Sequence, residues 1–189
     1  KATAAADALV VDETALGTNA TADFSNNFTS TPTNGADGAT VASAYTLSAV
    51  AGNSGLVDTA SGQNVVLSVN AGVVEGRTAT GGDLVFTVSV NTSGTVELDQ
   101  IRAVKQPTGG SSYDEATTLS AADLITLTRT DTITDGDLDT ASSSASINIG
   151  TALSFKDDGP AITVKATAAA DALVVDETAL GTNATADFS

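Results

Sequence analysis

The run Leu84-Val85-Phe86-Thr87-Val88-Ser89-Val90 sets large apolar side chains at every second position. An extended backbone sends successive side chains to opposite faces, so Leu84, Phe86, Val88 and Val90 share the inward face of a strand. The run before it, Val65-Val66-Leu67-Ser68-Val69-Asn70, repeats the pattern, with Val65, Leu67 and Val69 inward and Ser68 and Asn70 toward water. Ser93-Gly94 supplies a hairpin into Thr95–Leu98, where Val96 and Leu98 point inward. Half-buried strands joined by short turns are the signature of an antiparallel sheet.

Working outward, strands are expected over Ala4–Val11, near Ala22–Phe24, and over Val41–Val50, Leu124–Arg129, Ser143–Ile149 and Ala152–Lys156. The last two read as a pair around Gly150, with Ile147, Ile149, Leu153 and Phe155 inward. Residues 17–40 read as a surface connection with turn signals at Asn34-Gly35 and Asp37-Gly38. Gly52–Gly62 reads as a turn, as do Gly81-Gly82-Asp83 and Gly109-Gly110. Ser120-Ala121-Ala122-Asp123 has capping-box spacing for a single helical turn. Tyr45 and Tyr113 read as core or corner tyrosines. No helix-period stripe of any length occurs. The expected class is all-β, an Ig-like antiparallel two-sheet sandwich.

Composition agrees. Hydrophobic residues make up 41% of the 189, too many for wholesale disorder, while aromatics are only 4%. Thr and Val therefore carry the strand pattern, and Gly, Asn and Asp the turns.

The opening stretch Lys1–Ser25, KATAAADALVVDETALGTNATADFS, recurs without a change as Lys165–Ser189. The period, from Lys1 to Lys165, is the size of a domain rather than of a solenoid repeat. Asp157-Asp158-Gly159-Pro160 stops the sheet, because proline cannot donate to a central ladder. The expected organisation is one complete sandwich over 1–160, then a linker and the first part of the next tandem unit over 161–189. A chain that does not open on Met reads as a piece of a longer array.

Seven basic residues against 23 acidic ones leave a net charge of −16. Such a surface repels nucleic acid and anionic lipid, so neither is expected as a partner, and nothing suggests membrane insertion. No Cys and no His are present, which removes disulfides, thiolate sites and the commonest general base. Oxygen-rich sites for Ca²⁺ remain. Asp131, Asp135, Asp137, Asp139, Asp157 and Asp158 follow one another closely in the chain, offset only by Lys156. Like charges packed so closely favour a cation. Asp135-Gly136-Asp137-Leu138-Asp139 shares the alternate spacing of an EF-hand loop but lacks its glycine and glutamate positions, so an EF-hand is rejected. The bland alternative is an Asp-Gly turn with solvated acids around it. The repeat adds a second expectation: Asp157, Asp158, Asp176 and Glu177 share an ion across the junction. Asp12 and Glu13 would then be the same half-site for a preceding unit.

Five segments carry a resemblance: Val73-Val74-Glu75-Gly76-Arg77, Asp83–Val90, Gln100-Ile101-Arg102-Ala103-Val104, Asp135-Gly136-Asp137 and Leu153-Ser154-Phe155-Lys156-Asp157-Asp158-Gly159-Pro160. Together they resemble the extender repeats of giant bacterial RTX adhesins, which are exported by type I secretion. The resemblance implies Ca²⁺-stabilised Ig-like sandwiches in series on the bacterial cell surface. Each unit would be monomeric, touching neighbouring repeats of its own chain and holding a distal ligand-binding region away from the outer membrane, for adhesion or biofilm formation. The Gly-rich RTX nonapeptide is absent, which implies extender rather than β-roll. The rival reading is a repeated glycan- or protein-binding module acting by avidity. An enzyme is not expected, since no nucleophile motif accompanies the missing His and Cys.

Overall fold

The computed structural model describes residues 7–107, 114–166 and 173–187. The expected strand residues Ala4–Ala6, the Gly109-Gly110 turn and Tyr113 lie outside the described residues. The chain divides into two compact units, Lys1–Gly159 and Pro160–Ser189.

The first unit is all-β and sandwich-like, and among the described residues its only helical pieces are single 3-10 turns. Twelve strands follow in chain order: β1 Leu9–Asp12, β2 Ala20–Asp23, β3 Ala39–Ala49, β4 Gly52–Val57, β5 Asn64–Asn70 and β6 Val73–Thr78. Then come β7 Leu84–Val90, β8 Thr95–Gln100, β9 Ala116–Thr118, β10 Ile125–Asp135, β11 Thr140–Asn148 and β12 Leu153–Lys156. They form a six-stranded antiparallel sheet, β2-β8-β7-β6-β5-β4, and two three-stranded sheets, β11-β10-β3 and β1-β12-β9. Strand β3 packs across β5, β6 and β7, and Phe86 of β7 meets Phe155 of β12 with ring centroids 5.2 Å apart. Both small sheets thus face the large one, and Val65, Leu67, Phe86, Val88, Val96, Leu98, Ile125, Leu127, Ile149 and Leu153 fill the interior.

Alternation placed most of this core, and the departures have identifiable causes. Gly52–Gly62 is not a turn throughout: it holds β4, the outer strand of the large sheet. Its register against β5 shifts between Asn53 and Val57. There the buried Ser54 hydroxyl donates to Val65 O at 2.7 Å, so a polar residue fills an inward position. Val69 is 45% exposed, because β5 runs past the core toward its hairpin. β11 and β12 do not pair with each other. The 3-10 turn Gly150–Ala152 carries the chain from one small sheet to the other. Gly150 permits that passage, since a Cβ there would lie 2.9 Å from Ala122 O. The antiparallel expectation also meets one exception, as β1 lies parallel to β12, with Leu9 opposite Leu153 and Asp12 opposite Lys156. The helical turn near Ser120 is present as Ala122–Leu124, but Ala121 precedes it and no side chain caps it.

Beyond Leu127, β10 and β11 continue as a long hairpin. Its outer face is a ladder of hydroxyls: Thr128 with Ser146, Thr130 with Ser144 and Thr132 with Ser142, each pair at 2.8 Å. Its inner face carries Arg129, Asp131 and Ile133, which line a cavity of about 570 Å³ together with residues 28–33.

In the second unit, Asp176 caps a 3-10 turn over Glu177–Ala179. Leu173, Val174, Val175 and Leu180 are exposed. Among the described residues no helix is long and apolar enough to cross a membrane.

Candidate metal centre

The β10–β11 hairpin closes over Asp135–Thr140, where Asp135 N–H donates to Asp139 O at 3.1 Å and Leu138 N–H donates to Asp135 O at 3.2 Å. Leu138 takes a left-handed φ of 74° as the chain turns back toward β11. The register that pairs Asp135 with Ala39 brings in the residues just before β3. Asp37 thereby joins the hairpin tip, and carboxylate oxygens of Asp37, Asp135 and Asp137 lie within 4.8 Å of one another.

The glycine of the Asp135-Gly136-Asp137 motif now has a physical reason. A Cβ on Gly136 would stand 2.9 Å from Asp37 Oδ2 and 3.1 Å from Asp37 O, so glycine lets the two turns approach without displacing Asp37. Calcium takes oxygen ligands at roughly 2.3–2.6 Å, which places opposite ligands about 5 Å apart. The three carboxylates therefore fit around one ion, and they offer a hard-oxygen donor set. One oxygen, Asp135 Oδ1, already accepts Asp139 N–H at 2.9 Å.

The other expected ligands go elsewhere. Asp131 lies further down β10, where Arg129 Nε donates to it at 2.7 Å and Ser43 Oγ at 2.7 Å. Burial raises its pKa, but the Arg129 guanidinium and the hydroxyls of Ser43 and Ser30 outweigh that and hold it at about 2. Arg129 also sits 5.9 Å from the Tyr45 ring centroid, and Phe28 meets that ring edge-on at 6.1 Å. Asp139 contributes its backbone to the turn, and its carboxylate is not among the three that converge.

Glu13 follows β1 and is used inside its own unit. Its Oε1 accepts Val104 N–H at 2.7 Å and Gln100 Nε2–H at 3.2 Å. Burial raises its pKa against those two bonds, and the charges of Asp157 and Asp158 raise it further. Three carboxylates thus crowd the end of β12 within one unit. Asp12 accepts Thr14 N–H at 2.9 Å and lies opposite Lys156, while Lys156 Nζ donates to Asp114 at 2.7 Å. Asp176 and Glu177 belong to the second unit, where Asp176 accepts Thr178 N–H at 2.8 Å.

Sequence reading missed two features. Asp37 looked like a turn residue because its role depends on the pairing of β3 with β10. Asp58 is buried in full and receives a bidentate grip from Arg102, Nε to Oδ1 at 2.8 Å and Nη2 to Oδ2 at 2.9 Å. The signal for that pair was an Arg in a chain where basic residues are few.

These features define a sandwich-like β domain with an acidic centre at the tip of a hairpin. Residues 8–150 match the family described as Domain of unknown function (DUF5801), and the chain belongs to that family. The match takes in Asp37, Asp135 and Asp137 and stops short of Asp157 and Asp158. No curated protein and no solved structure matches the chain.

Proposed function

We propose that this chain is an extender repeat: a Ca²⁺-rigidified, Ig-like sandwich strung in tandem in a secreted bacterial surface adhesin, performing no reaction itself. The verbatim return of Lys1–Ser25 as Lys165–Ser189, one domain length later, carries the reading, since a repeat with a domain-length period is suited to supplying length. The layered antiparallel sheets and the parallel meeting of first and last strands support the Ig-like assignment. Asp37, Asp135 and Asp137 would hold the ion, which supplies charge neutralisation and a crosslink between the β10–β11 tip and the chain entering β3. The partners are the neighbouring repeats, and a distal region of the parent protein does the gripping.

Calcium titration calorimetry tests the ion. Asp37→Asn and Asp135→Asn should each weaken binding at least about tenfold, by loss of a charged oxygen ligand, while Asp123→Asn leaves it unchanged. Equal affinities in all four proteins would remove the tip from the account. A glycan array separates the extender from the repeated binding module. The extender gives no signal, and saturable binding by this chain would favour the rival.

A further inference from the structure

The two copies of the repeated stretch have opposite fates. Leu9, Val11 and Phe24 are buried, Leu9 beside Leu153 in the β1–β12 pair, whereas Leu173 and Val175 of the second unit are 56% and 72% exposed. Their 3-10 turns are nevertheless the same, although Leu173–Asp176 and Ala184–Asp187 are not paired as strands. Asp12 and Asp176 accept the backbone N–H of Thr14 and Thr178 at 2.9 and 2.8 Å, and each also accepts the hydroxyl of that threonine. Each opens a 3-10 turn, and Gly17 and Gly181 follow at φ 97° and 109°. A turn that forms in both settings is set by its own sequence, so the exposed copy already has the turn that links β1 to β2 in the first unit. It also has the same side chains to bury and the same hydrogen bonds to make.

Reach is sufficient. Residues 157–172 separate β12 from Leu173, and a parallel crossover needs only about a dozen residues. They must return along the short strand β12, a distance of about 13 Å, out of a possible ~50 Å.

We propose that the slot beside β12 and β8 accepts either copy, with Leu173–Asp176 and Ala184–Asp187 of the same chain able to replace β1 and β2. The boundary of a unit in the array is then not fixed. Each leading segment either opens the unit after it or closes the unit before it, and a unit whose first strands are cut or pulled away reseals. The proposal rests on the repetition and not on calcium, so either reading survives failure of the other.

The test uses the full chain in four forms: unchanged, Leu9→Asp with Val11→Asp, Leu173→Asp with Val175→Asp, and all four substitutions together. Both double variants should melt within about 3 °C of the unchanged protein, and the quadruple variant more than about 10 °C lower, because neither copy can then bury its face. The Leu9/Val11 variant falling as far as the quadruple one overturns the proposal, as does a quadruple variant that melts with the unchanged protein. The chain has no cysteine, so disulfide trapping gives a direct second readout. Val10 lies opposite Ser154, and Val174 takes its place after exchange. Val174→Cys with Ser154→Cys in the Leu9/Val11 variant should crosslink within one chain on oxidation. A crosslinked dimer assigns the exchange to a second copy and overturns the same-chain proposal, and absence of any crosslink overturns it as well.

Discussion

At the scale of single residues, two carboxylates and one glycine act on the fold in three different ways. The carboxylate of Asp58 lies well below the usual range, because Arg102 donates to both its oxygens and Ser61 adds bonds that together outweigh burial. A depressed carboxylate stabilises the fold above its unfolded pKa of about 3.9, and that contribution is lost as pH falls through the lower folded value. Asp58→Asn should therefore cost about 3 kcal/mol at pH 7 and flatten the acid limb of a melting-temperature profile below about pH 5. Glu13 works in the opposite sense. Its raised pKa means that ionisation weighs against folding, fully above the folded pKa and less as pH falls through it. Glu13→Gln keeps an acceptor for Val104 N–H, so in EGTA it should melt about 2–4 °C higher at pH 7, the gain fading toward about pH 4. Gly76 is required by contact: a Cβ there would enter the Phe86 ring, which is fully buried. Gly76→Ala should cost about 1–3 kcal/mol by chemical denaturation, as overpacking does.

At the scale of elements, the strands whose alternation runs over several residues were legible. β5, β7 and β8 follow from periodicity over most of their length. The pattern breaks at the exposed Val69 and at Gln100, which is polar yet buried. It breaks also at the start of β7, where a register shift against β6 leaves Val85 buried and Leu84 only partly so. β4 was not legible, since its glycines and serine mimic a turn and its inward Ser54 hydroxyl is satisfied by donating to Val65 O of the neighbouring strand and accepting Leu56 N–H. The pairing of β12 with β1 and β9 was hidden for a related reason: a local pattern says which face is buried but not which strand lies alongside. The acidic centre divides in the same way. Asp135 and Asp137 stand two apart on one turn and were visible as a cluster, whereas Asp37 is remote in the chain and arrives only through the β3–β10 register. Asp131 looked like a member by sequence distance, yet the strand from Asp131 to Asp135 carries it about 13 Å from the tip, to Arg129. The β10–β11 hairpin is thus built with a neutralised pair along its length and an unneutralised trio at its end. Asp135→Asn together with Asp137→Asn should abolish any calcium-dependent change in amide exchange at the hairpin end, leaving protection of β5–β8 unchanged.

At the scale of the molecule, a net charge of −16 on 189 residues works against compactness, and no disulfide opposes it. On the proposed reading of a secreted surface protein, divalent cations outside the cell would supply what the sequence withholds, and their scarcity in the cytosol would keep the chain loose for export. The account's central claim is that calcium stabilises this sandwich. Scanning calorimetry of the chain in millimolar calcium and in EGTA tests it most directly. At roughly one hundred times the dissociation constant the gain is ~2.7 kcal/mol, a rise in melting temperature of about 5–10 °C. The account predicts that rise, and superimposable transitions in calcium and EGTA would contradict it.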